Sequence, residues 1–417
     1  MPDRPMRIGI LTQYYSPELG APQARLSDLA GRLAERGHQV YVLTAMPSYP
    51  QGRLYPGYGG WLRIEQLDSV RVIRTLIYPT QQTRLLPRLA NYFSFVASSW
   101  LIGGWFLPRL DYLLSESPPL FLGLSAYLLS RWKRARWIFN VSDLWPESAA
   151  RLGFLRDGAA LRLSYALEAF CYRKAWLVTG QSRSILEDIE RRFPGLRLYH
   201  FSNGVDVRQF RGDIEPDPAD ELKKTANEVI ALYAGLHGVA QGLEQILQAA
   251  SRLRDVSTLR FVLVGDGPEK RRLQEMAAAD RLSNLVFLDP LPKERMPAIL
   301  AAADICIVPL KTHIPGAVPS KLYEAMAAQR PIVFIGDGEP AQIVNRHQAG
   351  FVLQPGDIDG AAQALRRLAE APELRQRMGA AGRRAAEMHF DRRQIFSDFE
   401  AFLLLGKDET RNGESVF

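Results

Sequence analysis

Apolar residues along this chain come in short unbroken runs, and stretches of helical spacing separate them. Residues 7–12 (Arg-Ile-Gly-Ile-Leu-Thr) read as a buried strand. Residues 23–35 then place Ala24, Leu26, Leu29, Ala30 and Leu33 on one helical face, with Gly37 as the stop. The apolar run at 40–44 completes a strand–helix–strand unit, so a parallel sheet is the working expectation. Further strands are expected at 71–77, 112–115, 137–141 and 176–179. The pattern restarts after Asn203-Gly204. Strands at 230–233, 260–264, 286–288 and 305–308 alternate there with helices at 242–254, 269–280 and 296–303. Two successive arrays of about 200 residues each predict an α/β protein with two Rossmann-like, doubly wound domains facing a cleft. The expected divisions are 1–200, 201–385, a last helix over 386–405 within a helical run from 380, and a disordered tail over 406–417.

The richest stretch chemically is 315–333, Pro-Gly-Ala-Val-Pro-Ser-Lys-Leu-Tyr-Glu-Ala-Met-Ala-Ala-Gln-Arg-Pro-Ile-Val. Ser320 is the expected N-cap of a helix over 321–328, and Pro331 ends it before a strand at 332–335. Small residues opening onto a helix start offer free backbone N–H groups and a positive dipole end, a natural seat for a diphosphate. Lys321, in the first turn, reaches the same anion. Glu324, one turn on, is placed to accept hydrogen bonds from sugar hydroxyls. Pro319, Ser320, Lys321, Leu322 and Glu324 therefore read as a nucleotide-sugar cradle.

Other strand ends carry candidates of the same kind, because open α/β sheets bind ligands at the carboxyl ends of their strands. The first loop, residues 14–22, contains Gly20, which either lets backbone approach a phosphate or belongs to an ordinary turn with two prolines. Asp143 follows the strand at 137–141. It is either a base that activates an acceptor hydroxyl or a helix N-cap before Pro146, and Glu147 is the second choice for the base. The turn at 233–242 holds Gly235 and His237, the latter a donor to a diphosphate or a structural histidine. Gly265-Asp266-Gly267 is a lone Gly-x-Gly turn with Lys270 where a third glycine would stand, so it is not a dinucleotide fingerprint. His38 reads as a turn residue. No P-loop, His-Glu-x-x-His pair or Gly-x-Ser-x-Gly elbow occurs.

The segment Pro319-Ser-Lys-Leu-Tyr-Glu-Ala-Met-Ala resembles the retaining glycosyltransferases of GT-B family 4. These carry two glutamates eight positions apart before an Ala-Met-Ala segment. Glu324 matches the second, whereas Gly316 stands at the first. The strings Asp143-Leu-Trp-Pro-Glu-Ser148, Asn203-Gly-Val-Asp206 and Gly265-Asp-Gly-Pro268 are similar to family motifs as well. The form is that of the branch building bacterial surface polysaccharides, which includes O-antigen N-acetyl-fucosamine transferases and a colanic acid transferase. The resemblance implies a first domain for the acceptor, a second for a UDP-sugar, and a last helix packed back on the first. It also implies transfer of an N-acetylated hexosamine or deoxyhexosamine to a polyprenyl-diphosphate-linked glycan, without a bound metal or other cofactor. Leu291 and Pro292 fall where the family contacts the base through backbone groups. Two family cations are replaced, by Leu236 and Gln241. A lapsed transferase kept as a membrane-associated scaffold, and a sugar-nucleotide epimerase, are the alternatives.

Composition changes this picture only at the edges. Cys171 and Cys306 lie far apart with no ligand spacing, which argues for a reducing compartment and against disulfide or zinc scaffolds. No apolar leader is visible at the start, so a cytoplasmic protein is expected. A net charge of +7 reflects either solvated arginines or an anionic partner, and no nucleic-acid signature accompanies it. Residues 89–108 contain no charge but six aromatic rings. They form a buried or groove-lining helix, an interfacial helix or a membrane span. The basic-aromatic run Arg131-Trp-Lys-Arg-Ala-Arg-Trp137 favours attachment to the anionic inner face of the cell membrane.

Overall fold

The computed structural model describes residues 5–18, 20–82, 84–151, 158–210, 214, 222–225 and 227–409. The chain divides into two compact units, 1–202 with 396–417, and 203–395.

The first unit holds eight strands: β1 (Arg7–Leu11), β2 (Gln39–Ala45), β3 (Leu62–Leu67), β4 (Val70–Thr75), β5 (Tyr112–Ser117), β6 (Arg136–Val141), β7 (Leu177–Gly180) and β8 (Leu198–His200). Their order is β3-β4-β2-β1-β5-β6-β7-β8. All pairs are parallel except β3 with β4. The central strands β1 and β5 are buried along nearly their whole length, as expected where helices cover both faces. β3 is a departure from the expected all-parallel sheet. Its Leu-Arg-Ile-Glu-Gln-Leu alternates apolar and polar, and it folds back on β4 as an exposed edge whose Arg63 and Glu65 discourage further pairing.

The second unit holds β9 (Val229–Ala234), β10 (Leu259–Val264), β11 (Leu285–Leu288), β12 (Ile305–Pro309), β13 (Ile332–Ile335) and β14 (Gly350–Leu353). They form one parallel sheet in the order β11-β10-β9-β12-β13-β14. The topology turns back on itself at β1/β5 in the first sheet and at β9/β12 in the second. Loops leaving those strands diverge there and open a crevice at the carboxyl edge. Both units are thus Rossmann-like.

The helical run expected from 380 to 405 is two helices, Pro372–His389 and Arg392–Glu409. Between them the backbone pairs with Val205 instead of continuing the spiral: the Val205 N–H donates to Phe390 O (2.8 Å), and the Arg392 N–H to Val205 O (2.9 Å). The second helix runs to 409, so it includes the first four residues of the expected tail; residues 410–417 lie outside the described part. In the first unit, Phe399 stacks on Phe201 with ring centroids 4.3 Å apart, and Tyr112 Oη donates to Leu403 O (2.6 Å). His38 is more than a turn residue. It is buried, takes the Met6 N–H on Nδ1 (3.1 Å) and meets the buried Glu400 carboxylate through Nε2 (2.8 Å), so it ties this helix to the sheet.

Candidate functional site

In the second unit, β9 is followed by Gly235, whose φ of 148° lies outside the range most side chains adopt. The space a Cβ would take there is filled: Lys321 Cε would lie 2.1 Å away and Nζ 2.6 Å. The lysine stem therefore lies along the backbone of the turn after β9, with Nζ 5.4 Å from the Tyr233 ring centroid. Gly265, after β10, brings its own backbone against the Gly235 carbonyl, which a Cβ would approach to 1.9 Å. Two strand-to-helix turns and one helix start thus converge.

Lys321 belongs to the helix Ser320–Ala327. Ser320 is not the N-cap: Pro319 takes that place, extended, and no side chain caps the end. The Leu322 N–H turns back to Pro319 O (3.0 Å), and the Ser320 and Lys321 N–H groups at the start of the helix are left to a ligand or to water. Leu322 and Tyr323 are buried and fix the helix in the core. Among the described residues, neither Lys321 Nζ nor the Glu324 carboxylate has a hydrogen-bond or ion-pair partner. Burial pushes the Lys321 ammonium below the ordinary lysine value, against the pull of Glu324. Burial raises the Glu324 carboxyl, opposed by Lys321, Lys293 and Arg392. A half-buried cation and carboxylate, one helical turn apart and without a hydrogen-bond partner among the described residues, suit a ligand with an anionic and a hydroxylated part.

The other predicted residues of this unit fall around that pair unevenly. Asp266 is exposed and accepts from the Gly267 N–H (2.8 Å). Leu291 packs against the core, and exposed Pro292 opens the 3-10 turn Lys293–Arg295. His237 is fully buried between Tyr233 and Phe287, with centroids 5.9 and 6.2 Å away, and neither ring nitrogen has a partner. Burial and then Lys270 hold its pKa down. It lies against the Gly265–Gly267 turn and offers no open donor to a diphosphate, which corrects the sequence expectation. Gly316, where the family places a glutamate, has φ 78°, a left-handed conformation that a glutamate would strain.

In the first unit, Asp143 follows β6 at the carboxyl edge. Its Oδ2 accepts the Ser148 hydroxyl (2.8 Å) from the short helix Glu147–Arg151, whose first residue, Glu147, is half-buried. Burial raises the Asp143 carboxyl, and the Ser148 hydroxyl and Leu144 N–H oppose the rise. A carboxyl raised this way is suited to exchange a proton with a hydroxyl. Gly20 is the exposed N-cap of the helix Ala21–Glu35.

Sequence reasoning missed the groups beneath these loops. Glu18 is buried and accepts three backbone N–H groups, from Ser48 (2.8 Å), Tyr49 (2.8 Å) and Tyr15 (3.1 Å), which joins the loops after β1 and β2. Arg25 Nη2 and Glu116 Oε2 form a buried ion pair at 2.6 Å. Asn140 Nδ2 (2.9 Å) and the Ser142 hydroxyl also donate to Glu116. The signal was present: Glu116 interrupts an apolar strand, and Arg25 lies one turn before Leu29 on the buried helix face.

Comparison with known proteins agrees with this architecture. Residues 20–204 match the family described as glycosyl transferase 4-like domain, and residues 214–385 match glycosyl transferases group 1. The protein is a GT-B glycosyltransferase. It is 28% identical over 412 residues to the putative colanic acid biosynthesis glycosyl transferase WcaI of Escherichia coli K12, covering 94% of this chain and 98% of that protein. It is 26% identical over 268 residues to the probable glycosyltransferase WbjE of Pseudomonas aeruginosa, covering 63% of this chain and 67% of that one. Among solved structures, Anabaena HepE in complex with UDP and glucose shares the fold of this glycosyltransferase. Its TM-score is 0.68 at 18% identity, over 95% of this chain and 99% of that one. Among the described residues, no cluster of His, Cys, Asp and Glu could hold a metal ion, and no helix is long and apolar enough to cross a membrane.

Proposed function

We propose that this glycosyltransferase moves a sugar, an N-acetylated hexosamine or deoxyhexosamine, from a UDP-sugar to a polyprenyl-diphosphate-linked glycan with retention of configuration. The process is surface polysaccharide synthesis. One observation carries the reading: Lys321 lies against Gly235, beside the uncapped helix start, with Glu324 one turn further on, and neither side chain has a hydrogen-bond partner among the described residues. Lysine and N–H groups offset the charge of a departing diphosphate without a metal. Glu324 grips sugar hydroxyls, and Asp143 orients or deprotonates the acceptor hydroxyl. The likeness to a colanic acid transferase over almost the whole length of both chains supports the polysaccharide context. The test is thermal unfolding with UDP, GDP, ADP and a panel of UDP-sugars. A ligand at about a hundred times its dissociation constant stabilises by roughly 2.7 kcal/mol. Stabilisation by UDP and by one UDP-sugar is expected, with the increment due to the sugar lost in Glu324→Ala. Silence across every nucleotide, from a cooperatively folding sample, would refute the donor reading.

The acceptor's lipid calls for a membrane surface, and the charge-free belt supplies part of one. Its helix Leu85–Ser98 buries Phe95 completely, and Trp100 is half-buried, so these two hold the core. Beyond the π-turn Ser99–Gly103, Trp105 is 77% exposed and stands edge-on to exposed Trp132, 5.6 Å away, with Lys133 Nζ 4.5 Å from the Trp132 ring. Exposed rings beside cations suit the headgroup layer. Converting Trp105, Phe106 and Trp132 to serine is expected to abolish co-sedimentation with phosphatidylglycerol vesicles while the melting temperature holds. Unchanged sedimentation would sink the membrane role of this patch.

A further inference from the structure

The second unit has a cavity of about 750 Å³ at the amino edge of its sheet, where Asp304 and Pro331 lead into β12 and β13. This is the edge opposite Gly235, Gly265 and Lys321, which follow strands or open a helix at the carboxyl side. The helix Ser320–Ala327 joins the two edges. Lys321 lies in its first turn, and Ala327 and the residues after it, to Arg330, wall the cavity. The volume is that of a small-molecule site.

The charges lining it do not cancel. Asp304 Oδ2 is taken by Lys224 Nζ (2.8 Å) and the Ile230 N–H (2.8 Å). Glu387 is taken by Arg383 Nε (2.6 Å), and Arg383 Nη1 donates to Ala327 O (2.5 Å) at the helix end. Among the described residues, Arg375 commits only Nη1, to Leu368 O (2.5 Å) and Ala369 O (3.0 Å). Arg330 commits nothing among the described residues: its guanidinium has no hydrogen bond or ion pair, and its Nε is buried without a partner. A half-buried guanidinium with no counter-charge among the described residues is complementary to an oxyanion. Pro297, Ala301 and Ala328 give the same cavity an apolar side.

We propose that this cavity binds a phosphate-bearing small molecule, with Arg330 and Arg375 on the phosphate and the organic part against Pro297 and Ala301. It is a second ligand site, separate from the nucleotide-sugar cradle and connected to it by one helix.

Titration calorimetry of the full chain with inorganic phosphate tests this, on wild type, Arg330→Gln, Arg375→Gln and Lys321→Ala. Saturable binding by wild type is expected, weakened about tenfold or more in each arginine variant, as the loss of a charge-assisted hydrogen bond implies, and retained in Lys321→Ala. UDP should bind Arg330→Gln as it binds wild type. In phosphate-free buffer Arg330→Gln should melt no lower than wild type, because the arginine it removes has no partner to lose. The proposal is overturned if wild type shows no saturable phosphate binding in the millimolar range. It is equally overturned if binding survives in both arginine variants, or disappears only in Lys321→Ala, which would put the anion at the other edge.

Discussion

Replacing Glu116 with leucine is expected to lower the stability of the first unit by roughly 3–5 kcal/mol, because a buried charge is left without its partner. Arg25 and Glu116 are both nearly inaccessible to solvent and meet at 2.6 Å. Arg25 also donates to the Ser142 hydroxyl (3.2 Å) and faces the Phe201 ring 5.8 Å away, but neither replaces a carboxylate. Asn140 Nδ2 would lose the nearer of its two acceptors, keeping only the Ser142 hydroxyl at 3.3 Å. The double variant Arg25→Met, Glu116→Leu removes both charges and restores apolar packing, so it should regain much of the loss. Urea unfolding of wild type, both singles and the double measures the coupling. A single variant within about 1 kcal/mol of wild type, the scale of an exposed ion pair, would show that the pair contributes little. The pair lies where β5 ends, beside the loops that follow β1 and β6, so its integrity sets the positions of the Asp143 loop and the first helix.

Strands were legible where apolar runs were unbroken, as in Ile332–Ile335, whose bounds match the expectation at both ends. β3 was missed because an edge strand needs only one apolar face, and its alternation carries two charges. The long final helix was read through its break because Phe390 and Asp391 do not disrupt helical spacing. A single backbone pairing with Val205 decides the boundary, and no local pattern encodes such a partner. The candidate donor site was legible as a stretch, since a lysine and a glutamate one turn apart at a helix start are local facts. The path of the lysine stem was not, because it depends on Gly235, far away in the chain. His237 failed as a donor for the same reason. Sequence gives its neighbours in the turn but not Tyr233 and Phe287 enclosing the ring.

Lys321→Ala should weaken UDP binding by about ten- to a hundredfold, the loss associated with a charge-assisted hydrogen bond in a partly buried site. Gly235→Ala should do the same without touching the charge, because its methyl would stand where Lys321 Cε now lies. In Lys321→Ala the effect should not come from unfolding of the lysine's own surroundings, since Lys321 has no hydrogen bond or ion pair among the described residues to lose; Gly235→Ala also strains the backbone at φ 148°, so its melting temperature is measured beside its affinity. The pH dependence separates the two charged groups. Burial lowers the Lys321 pKa, so its cation is present below that value and lost as pH rises through it. Burial raises the Glu324 pKa, so its carboxylate is present above that value and lost as pH falls through it. Binding of UDP should therefore weaken on the alkaline side through Lys321. A UDP-sugar should weaken on both sides, because only the sugar uses Glu324. The ligand's own ionisation is common to every variant, so differences between wild type and Lys321→Ala isolate the lysine. Calorimetric affinities across the pH range decide the matter. Equal UDP affinity in wild type, Lys321→Ala and Gly235→Ala would remove the diphosphate from this helix start.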